Sequence, residues 1–245
     1  MSLVRYERLD LADLASVAEF GTRLIKWERP IDMLVNNAGT RATGRRRVSK
    51  DGFELQLAAN FLGHFALTAQ LMTLLRKSRH PRVVQISSPC HRHGRIDFED
   101  LQLERRYDAW SAYCQSKLAL LIFAIELQRR SDSNAWGLLS VAAHSGRART
   151  DRQWPVPRPK SLIQKLHGTV GQILGHSARD AAMPGLFAAT APSVVRGGFY
   201  GPRGPLEFAI APGLSDVGKI ARDAGEGRKL WEAAERLTRV SWPER

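Results

Sequence analysis

Cysteine is nearly missing from this chain: Cys90 and Cys114 are the only two among 245 residues. Two thiols cannot staple a fold of this size, so the fold has to rest on a packed core. Cysteine used so sparingly fits a reducing compartment, which makes the cytoplasm the expected location. Long apolar runs are missing too. The longest, LALLIFAI at 118–125, falls well short of the roughly 20 residues that cross a bilayer. The opening residues show no basic stretch followed by an apolar one, so neither a secretory signal nor a membrane span is expected. A further absence is the glycine-rich turn whose backbone N–H groups cradle a phosphate at a helix N-terminus. No GxxxGxG-type stretch occurs, and GPRGPLEFAIAPG at 201–213 has too many prolines to open a helix.

Negative charge is also short, with 24 Asp and Glu against 37 Lys and Arg and a formal net charge of +13. Such a surplus favours phosphates, because bound Lys and Arg release counterions. Its distribution points elsewhere. GRRRVSK at 44–50 is the single dense basic run, the other arginines are scattered among carboxylates, and no helix-turn-helix, zinc-finger or aromatic RNA-binding signature occurs. A solvated basic surface without a nucleic-acid partner is the expectation. With 43% hydrophobic residues and no repeat or low-complexity tail, residues 1–245 are read as one domain.

What is present alternates strand-like and helix-like segments. LVRYERL (3–9), IDMLVNN (31–37), RVVQISS (82–88), GLLSVAAHSG (137–146) and GGFYG (197–201) read as strands. Residues 11–27, a short helix followed by a long apolar one before 77, and 111–130, 178–192 and 225–240 read as helices. Strand alternating with helix predicts an α/β fold, a doubly wound parallel sheet with helices on both faces. Segment 151–177 breaks the rhythm with three prolines and an amphipathic stretch; a substrate lid and a plain surface excursion fit it equally.

Parallel sheets hold ligands at the C-terminal ends of their strands. Polar groups gather at three such ends: Asn36 and Asn37, Ser87 and Ser88, and His144 to Thr150. The helix opening at Ser111 adds Tyr113 and Lys117, four apart and therefore on one helical face. A free phenol titrates too high to exchange protons near neutrality, and an ammonium close by favours the phenolate. With Ser88 hydrogen-bonding the reacting oxygen, the set would pass a proton to or from an alcohol or carbonyl. No side chain donates hydride, so a nicotinamide is implied. His91 and His93 have no companion ligands at metal-binding spacing; a surface loop and no metal are expected. Cys114, between the two residues of the pair, reads as packing.

NNAG (36–39), NFLGHF (60–65), VVQISS (83–88), YCQSK (113–117) and AHSGRART (143–150), in this order, resemble the short-chain dehydrogenase/reductases, and most of all their retinol-dehydrogenase and protochlorophyllide-reductase-like branch. The resemblance implies a Rossmann-like fold and a small-molecule alcohol or carbonyl substrate, with NAD or NADP as cofactor. It implies Tyr113 as general acid/base, Lys117 lowering the pKa of Tyr113 and holding the nicotinamide ribose, Ser88 orienting substrate and Asn60 anchoring a water of the proton relay. Asp10 is implied beside the adenine, Asn36, Ala38 and Gly39 along the adenosine side of the cleft, and Thr150 near the carboxamide.

On that resemblance MLVNNAG is the family's fourth strand, so the sequence starts inside the third, and the first two strands and the glycine-rich loop are read as absent, with cofactor binding weakened. The strand at 31–36 would then have an open edge, which Leu3–Leu9 or another chain is expected to cover. Ser145 stands where the family has a proline, which loosens a turn. The apolar faces of helices 60–77 and 111–130 resemble those the family uses to pair subunits, so a homodimer is expected, and the apolar character of 151–177 suggests a lipophilic substrate. Two other readings stay open: a non-redox scaffold or partner subunit, and a cofactor-free dehydratase or isomerase using the same residues.

Overall fold

The computed structural model describes residues 4–146, 177–204 and 211–243. Five strands form one sheet: β1 (Met33–Asn36), β2 (Arg82–Ile86), β3 (Leu139–Ala143), β4 (Phe199–Pro202) and β5 (Pro212–Leu214), adjacent in chain order. The first four run parallel and β5 returns antiparallel along β4. Asn36 pairs with Gln85, Gln85 with Ala142 and Ala142 with Phe199. β1, β2 and β3 therefore end level while β4 starts at that level and runs on to Pro202, and the residues leaving the first three open onto a common rim.

Successive residues of a strand face opposite sides, and β2 and β3 divide accordingly. Val83 and Ala142 join the larger core, while Val84, Val141 and Ala143 join a smaller one beneath α4 (Ala178–Thr190). The larger core takes side chains from α1 (Leu14–Ile25), the continuous helical run α2 (Leu55–Leu75), α3 (Ala109–Ser133), α5 (Lys219–Arg222) and α6 (Ala224–Thr238). Its centre is aromatic. Phe65 lies 5.0 Å from Trp231 and 5.2 Å from Phe123, and Trp231 lies 4.4 Å from Trp242, ring to ring. The apolar run 118–125 is hydrophobic all round because α3 is enclosed by the sheet, α2 and α6. α2 has the length and composition of a membrane span, yet it is a core helix, nearly all of it buried.

Several expectations are corrected. Residues 4–9 form no strand, and among the described residues β1 pairs only with β2, so 4–9 does not cover the edge of β1. The short and long helices before residue 77 are one run, joined through a π turn at Ala58–Leu62. β5, built on Pro212 and Gly213, escapes a propensity reading and makes the sheet mixed. The homodimer stands as an expectation; the apolar faces of α2 and α3 also pack within the chain, α2 against α1 and α3, and α3 against α2, α6 and Trp242. The candidate lid at 151–177 lies outside the described residues except for Ser177, whose hydroxyl caps α4.

Close packing leaves one residue no alternative. A Cβ on Gly63, within α2, would lie 2.3 Å from the carbonyl oxygen of Leu11, where the chain enters α1. In an open helix Gly→Ala gains about 1 kcal/mol. Here the collision with backbone dominates, and we expect Gly63→Ala to destabilise the fold by roughly 1–3 kcal/mol in urea denaturation. A stabilised variant would show that the two segments are not held at this distance.

Candidate active site

The rim at the strand ends is assembled by hydrogen bonds between β2 and α3. The Lys117 ammonium donates to the carbonyl of Ile86, the last residue of β2, at 2.9 Å. The Ser87 hydroxyl donates back to the carbonyl of Lys117 at 2.7 Å, and its backbone N–H donates to Ala143. Ser87 is thus structural, and the next residue, Ser88, is freed to cap the short 3-10 turn Pro89–His93, its oxygen accepting from the Cys90 N–H at 3.4 Å. Ser88 and Tyr113 line one cavity of about 760 Å³. Lys117 is buried, 6% exposed. Burial draws its pKa down to about 8, opposed by the nearby Cys90.

Asn60, in the π turn of α2, is fully engaged. Its Oδ1 accepts from the Thr40 N–H at 2.7 Å, and its Nδ2 donates to the Thr40 carbonyl at 2.8 Å and to Ser116 Oγ at 2.9 Å. Ser116 in turn donates to the Tyr113 carbonyl. One amide therefore ties the loop after β1 to the helix carrying Tyr113. Gly39 sits between them: a Cβ there would be 2.8 Å from Asn60 Oδ1 and 3.5 Å from Lys117 Nζ. The backbone at Ala38 and Gly39 is exposed and lies against these groups, a cradle that a side chain would fill.

The remaining residues named from the sequence are placed differently. Asn36 is buried and donates to Thr68 Oγ1 at 3.0 Å, so its side chain braces β1 against α2. Asp10 lies on a separate recess of about 360 Å³ with Asp13 and Lys50, and accepts from the Ala12 N–H. Thr150 lies outside the described residues. His91 is buried, its ring against Phe199 and its Nδ1 2.8 Å from the Ser88 carbonyl oxygen, so the surface-loop expectation holds for His93 and fails for His91. Of the basic run, Arg46 is turned into the protein, donating to the Gln102 carbonyl and pairing with Glu104.

Other participants had no signal in the sequence. The Arg41 guanidinium lies 4.8 Å from the Tyr113 ring and 4.9 Å from that of Trp110, which precedes Tyr113 by three on the same helix. Cys114 is fully buried, in line with its reading as packing, and interaction between its thiol and that of Cys90, on the cavity wall, lowers the pKa of Cys90 and raises that of Cys114. His64 donates from Nε2 to the Ala38 carbonyl at 2.7 Å and so fixes the turn after β1.

Ser88 and Tyr113 thus share a cavity at the strand ends of a Rossmann-like sheet, with Lys117 buried one helical turn from Tyr113, and the family the chain matches makes it an oxidoreductase that acts on CH–OH groups. The model of the short chain dehydrogenase family matches residues 3–157. The chain belongs to that family. Mouse retinol dehydrogenase 13 is 38% identical over 238 residues, covering 96% of this chain and 68% of its own. The crystal structure of an uncharacterised protein from Mycobacterium paratuberculosis superposes with a TM-score of 0.75 at 34% identity, covering 97% of this chain and 76% of that one. A blue fluorescent protein from a metagenomic library, solved in complex with NADPH, gives a TM-score of 0.55 at 25% identity, covering 78% and 71%.

The brace at His64 has a pH signature. Burial draws its pKa from 6.5 down to about 4. Between these values the unfolded chain binds the proton and the folded chain does not, so stability falls as pH falls. The loss from this group between pH 7 and pH 5 is about 2 kcal/mol. Urea denaturation at both pH values should show the stability difference between the parent and His64→Gln shrinking by that amount in acid. A pH-independent difference would contradict the assignment.

Proposed function

We propose that the protein is an NAD(P)-dependent oxidoreductase that interconverts an alcohol and a carbonyl on a lipophilic small molecule, with Tyr113 as general acid/base. The observation that carries the proposal is that Tyr113 and Ser88 share one cavity while Lys117, one helical turn from Tyr113, is buried and bonded to the end of β2. The NADPH complex of the metagenomic relative and the substrate named for the retinol dehydrogenase support the cofactor and the lipophilic class.

Bound nicotinamide supplies or accepts the hydride. In the direction of reduction, the Tyr113 phenol gives its proton to the substrate oxygen as that oxygen gains charge, and in oxidation the phenolate takes it back. The Ser88 oxygen already accepts from Cys90, which leaves its own hydrogen for the substrate oxygen and sets that oxygen beside Tyr113. The Lys117 ammonium favours the phenolate electrostatically. With both donors of its amide used by protein, Asn60 shapes the site, and a relay water there would accept nothing from its side chain. Ala38 and Gly39, whose exposed backbone borders Asn60 and Lys117, fit the cofactor side of the cleft, and we assign Asp10, Asn36 and Thr150 to that side on the resemblance.

The test is a panel of alcohols and carbonyls assayed with NADH and NADPH. Tyr113→Phe removes only the hydroxyl, and with it the proton, and should lower kcat/KM by about 10²–10⁴-fold with the fold retained by circular dichroism. A variant as active as the parent eliminates Tyr113 as the acid. Failure of every substrate with both nucleotides eliminates the oxidoreductase.

A further inference from the structure

Ser215 lines the same cavity as Ser88 and Tyr113. It directly follows β5, and its backbone N–H donates to the Phe199 carbonyl of β4 at 2.8 Å. On the other side of β4, His144 directly follows β3 and donates its backbone N–H to the Tyr200 carbonyl at 2.8 Å. The two side chains meet across β4, with His144 Nε2 2.9 Å from Ser215 Oγ. They pass over Gly201, where a Cβ would lie 1.9 Å from that nitrogen and 2.5 Å from that oxygen. Only a glycine in the strand leaves room for the pair.

The other ring nitrogen settles the direction of the bond. His144 Nδ1 accepts from the Gly146 backbone N–H at 3.1 Å, so it carries a lone pair and no hydrogen. The hydrogen of the imidazole is then on Nε2 and is donated to Ser215 Oγ. The ring is buried and set against Phe199, which holds it in this orientation. Ser215 accepts through its oxygen, cannot give its own hydrogen back to His144, and among the described residues no acceptor receives that hydrogen. Ser88 is held alike, its oxygen accepting from the Cys90 N–H. The cavity therefore offers a hydroxyl hydrogen from the end of β2 and another from the end of β5.

We infer that Ser215 determines specificity by donating a hydrogen bond to a second oxygen of the substrate, apart from the one that reacts at Tyr113. The inference rests on the oxidoreductase proposed above and narrows its substrate to an oxygenated alcohol or ketone, whose additional hydroxyl, ether or carbonyl oxygen is uncharged. A hydroxyl already oriented by a donor loses little freedom on binding, and a ligand lacking the second oxygen leaves its hydrogen unpaired. The carboxamide oxygen of a bound nicotinamide presents the same acceptor chemistry, and the two sources separate experimentally.

The protein is titrated calorimetrically, without nucleotide and with NADP⁺, with α-methoxyacetophenone against butyrophenone and with β-methoxypropiophenone against valerophenone. Within each pair an ether oxygen replaces a methylene at equal size, and neither ketone is oxidised. At least one ether should bind about three- to ten-fold more tightly than its partner. Ser215→Ala, folded by circular dichroism, should abolish or reverse that preference, because the methylene is then the better buried group. Pairs that bind alike or not at all, or a preference that survives in Ser215→Ala, overturn the inference. Nitrogen NMR of labelled protein at neutral pH should show His144 protonated at Nε2 and bare at Nδ1, and the opposite tautomer equally overturns it. In turnover, a rise of about ten-fold in the KM for NADPH in Ser215→Ala at an unchanged ether preference would assign the hydroxyl to the nicotinamide and against the substrate. Absence of all turnover would sink the oxidoreductase reading, and the calorimetric comparison would still decide this one.

Discussion

The site depends on a reciprocal pair of hydrogen bonds between the end of one strand and the middle of one helix. Lys117 donates to Ile86 and Ser87 donates to Lys117, so β2 cannot shift along α3 without losing both. The Ser87 bond is buried and the Lys117 bond partly so, and an unmade buried partner costs about 1–3 kcal/mol. The residue after the stitch is Ser88 and the residue one turn before Lys117 is Tyr113. A serine leaving a sheet and a tyrosine on a helix are thereby set on one wall without being bonded to each other. The loop after β1 is attached in the same manner by Asn60 and His64, each from α2. Three segments far apart in the chain thus meet through polar groups at the ends of rigid elements, and the surrounding aromatic core keeps those elements from moving apart.

Burial divides the polar residues of this region into two kinds. Asn60, Ser87, Ser116 and His64 have their bonding capacity directed at protein and brace the site. Ser88 and Tyr113 face the cavity, and the Ala38 and Gly39 backbone is exposed. Sequence spacing cannot separate these kinds. Ser87 and Ser88 are adjacent and chemically equal, and their difference arises because the strand ends between them.

The legibility of the fold follows the same logic. β1 to β4 end apolar, β-branched or aromatic runs and were readable, as was the single face shared by Tyr113 and Lys117, since both signals are local and periodic. The alternation in 3–9 is just as regular, but a strand exists only where a ladder partner does, and no described strand pairs there. β5 is the converse case, a pair of poor strand formers held by its neighbour β4. Arg41 stacking on Tyr113 and Trp110 joins a loop to a helix across the sequence, and the Cys90–Cys114 contact joins a turn to that helix. Neither leaves a periodic trace. The π turn at Ala58–Leu62 is invisible for a similar reason, because AANFL is compatible with an ordinary helix and the offset comes from fitting Asn60 to Thr40 and Ser116.

The two cations around the phenol are of different physical kinds, and this gives the site its electrostatic character. Lys117 is nearly sealed from water, and burial has lowered its pKa to about 8, so its charge is held at a cost and is sensitive to what stands near it. Cys90, whose thiol is shifted toward the anion by its bond from Cys114, opposes that loss. Arg41, on the open side, is a group that does not deprotonate in proteins. A phenolate at Tyr113 is therefore flanked by a responsive charge within the fold and a permanent one at the entrance. In the proposed reaction the inner charge would act on the proton transfer, since only a group in low dielectric interacts strongly with a developing oxyanion.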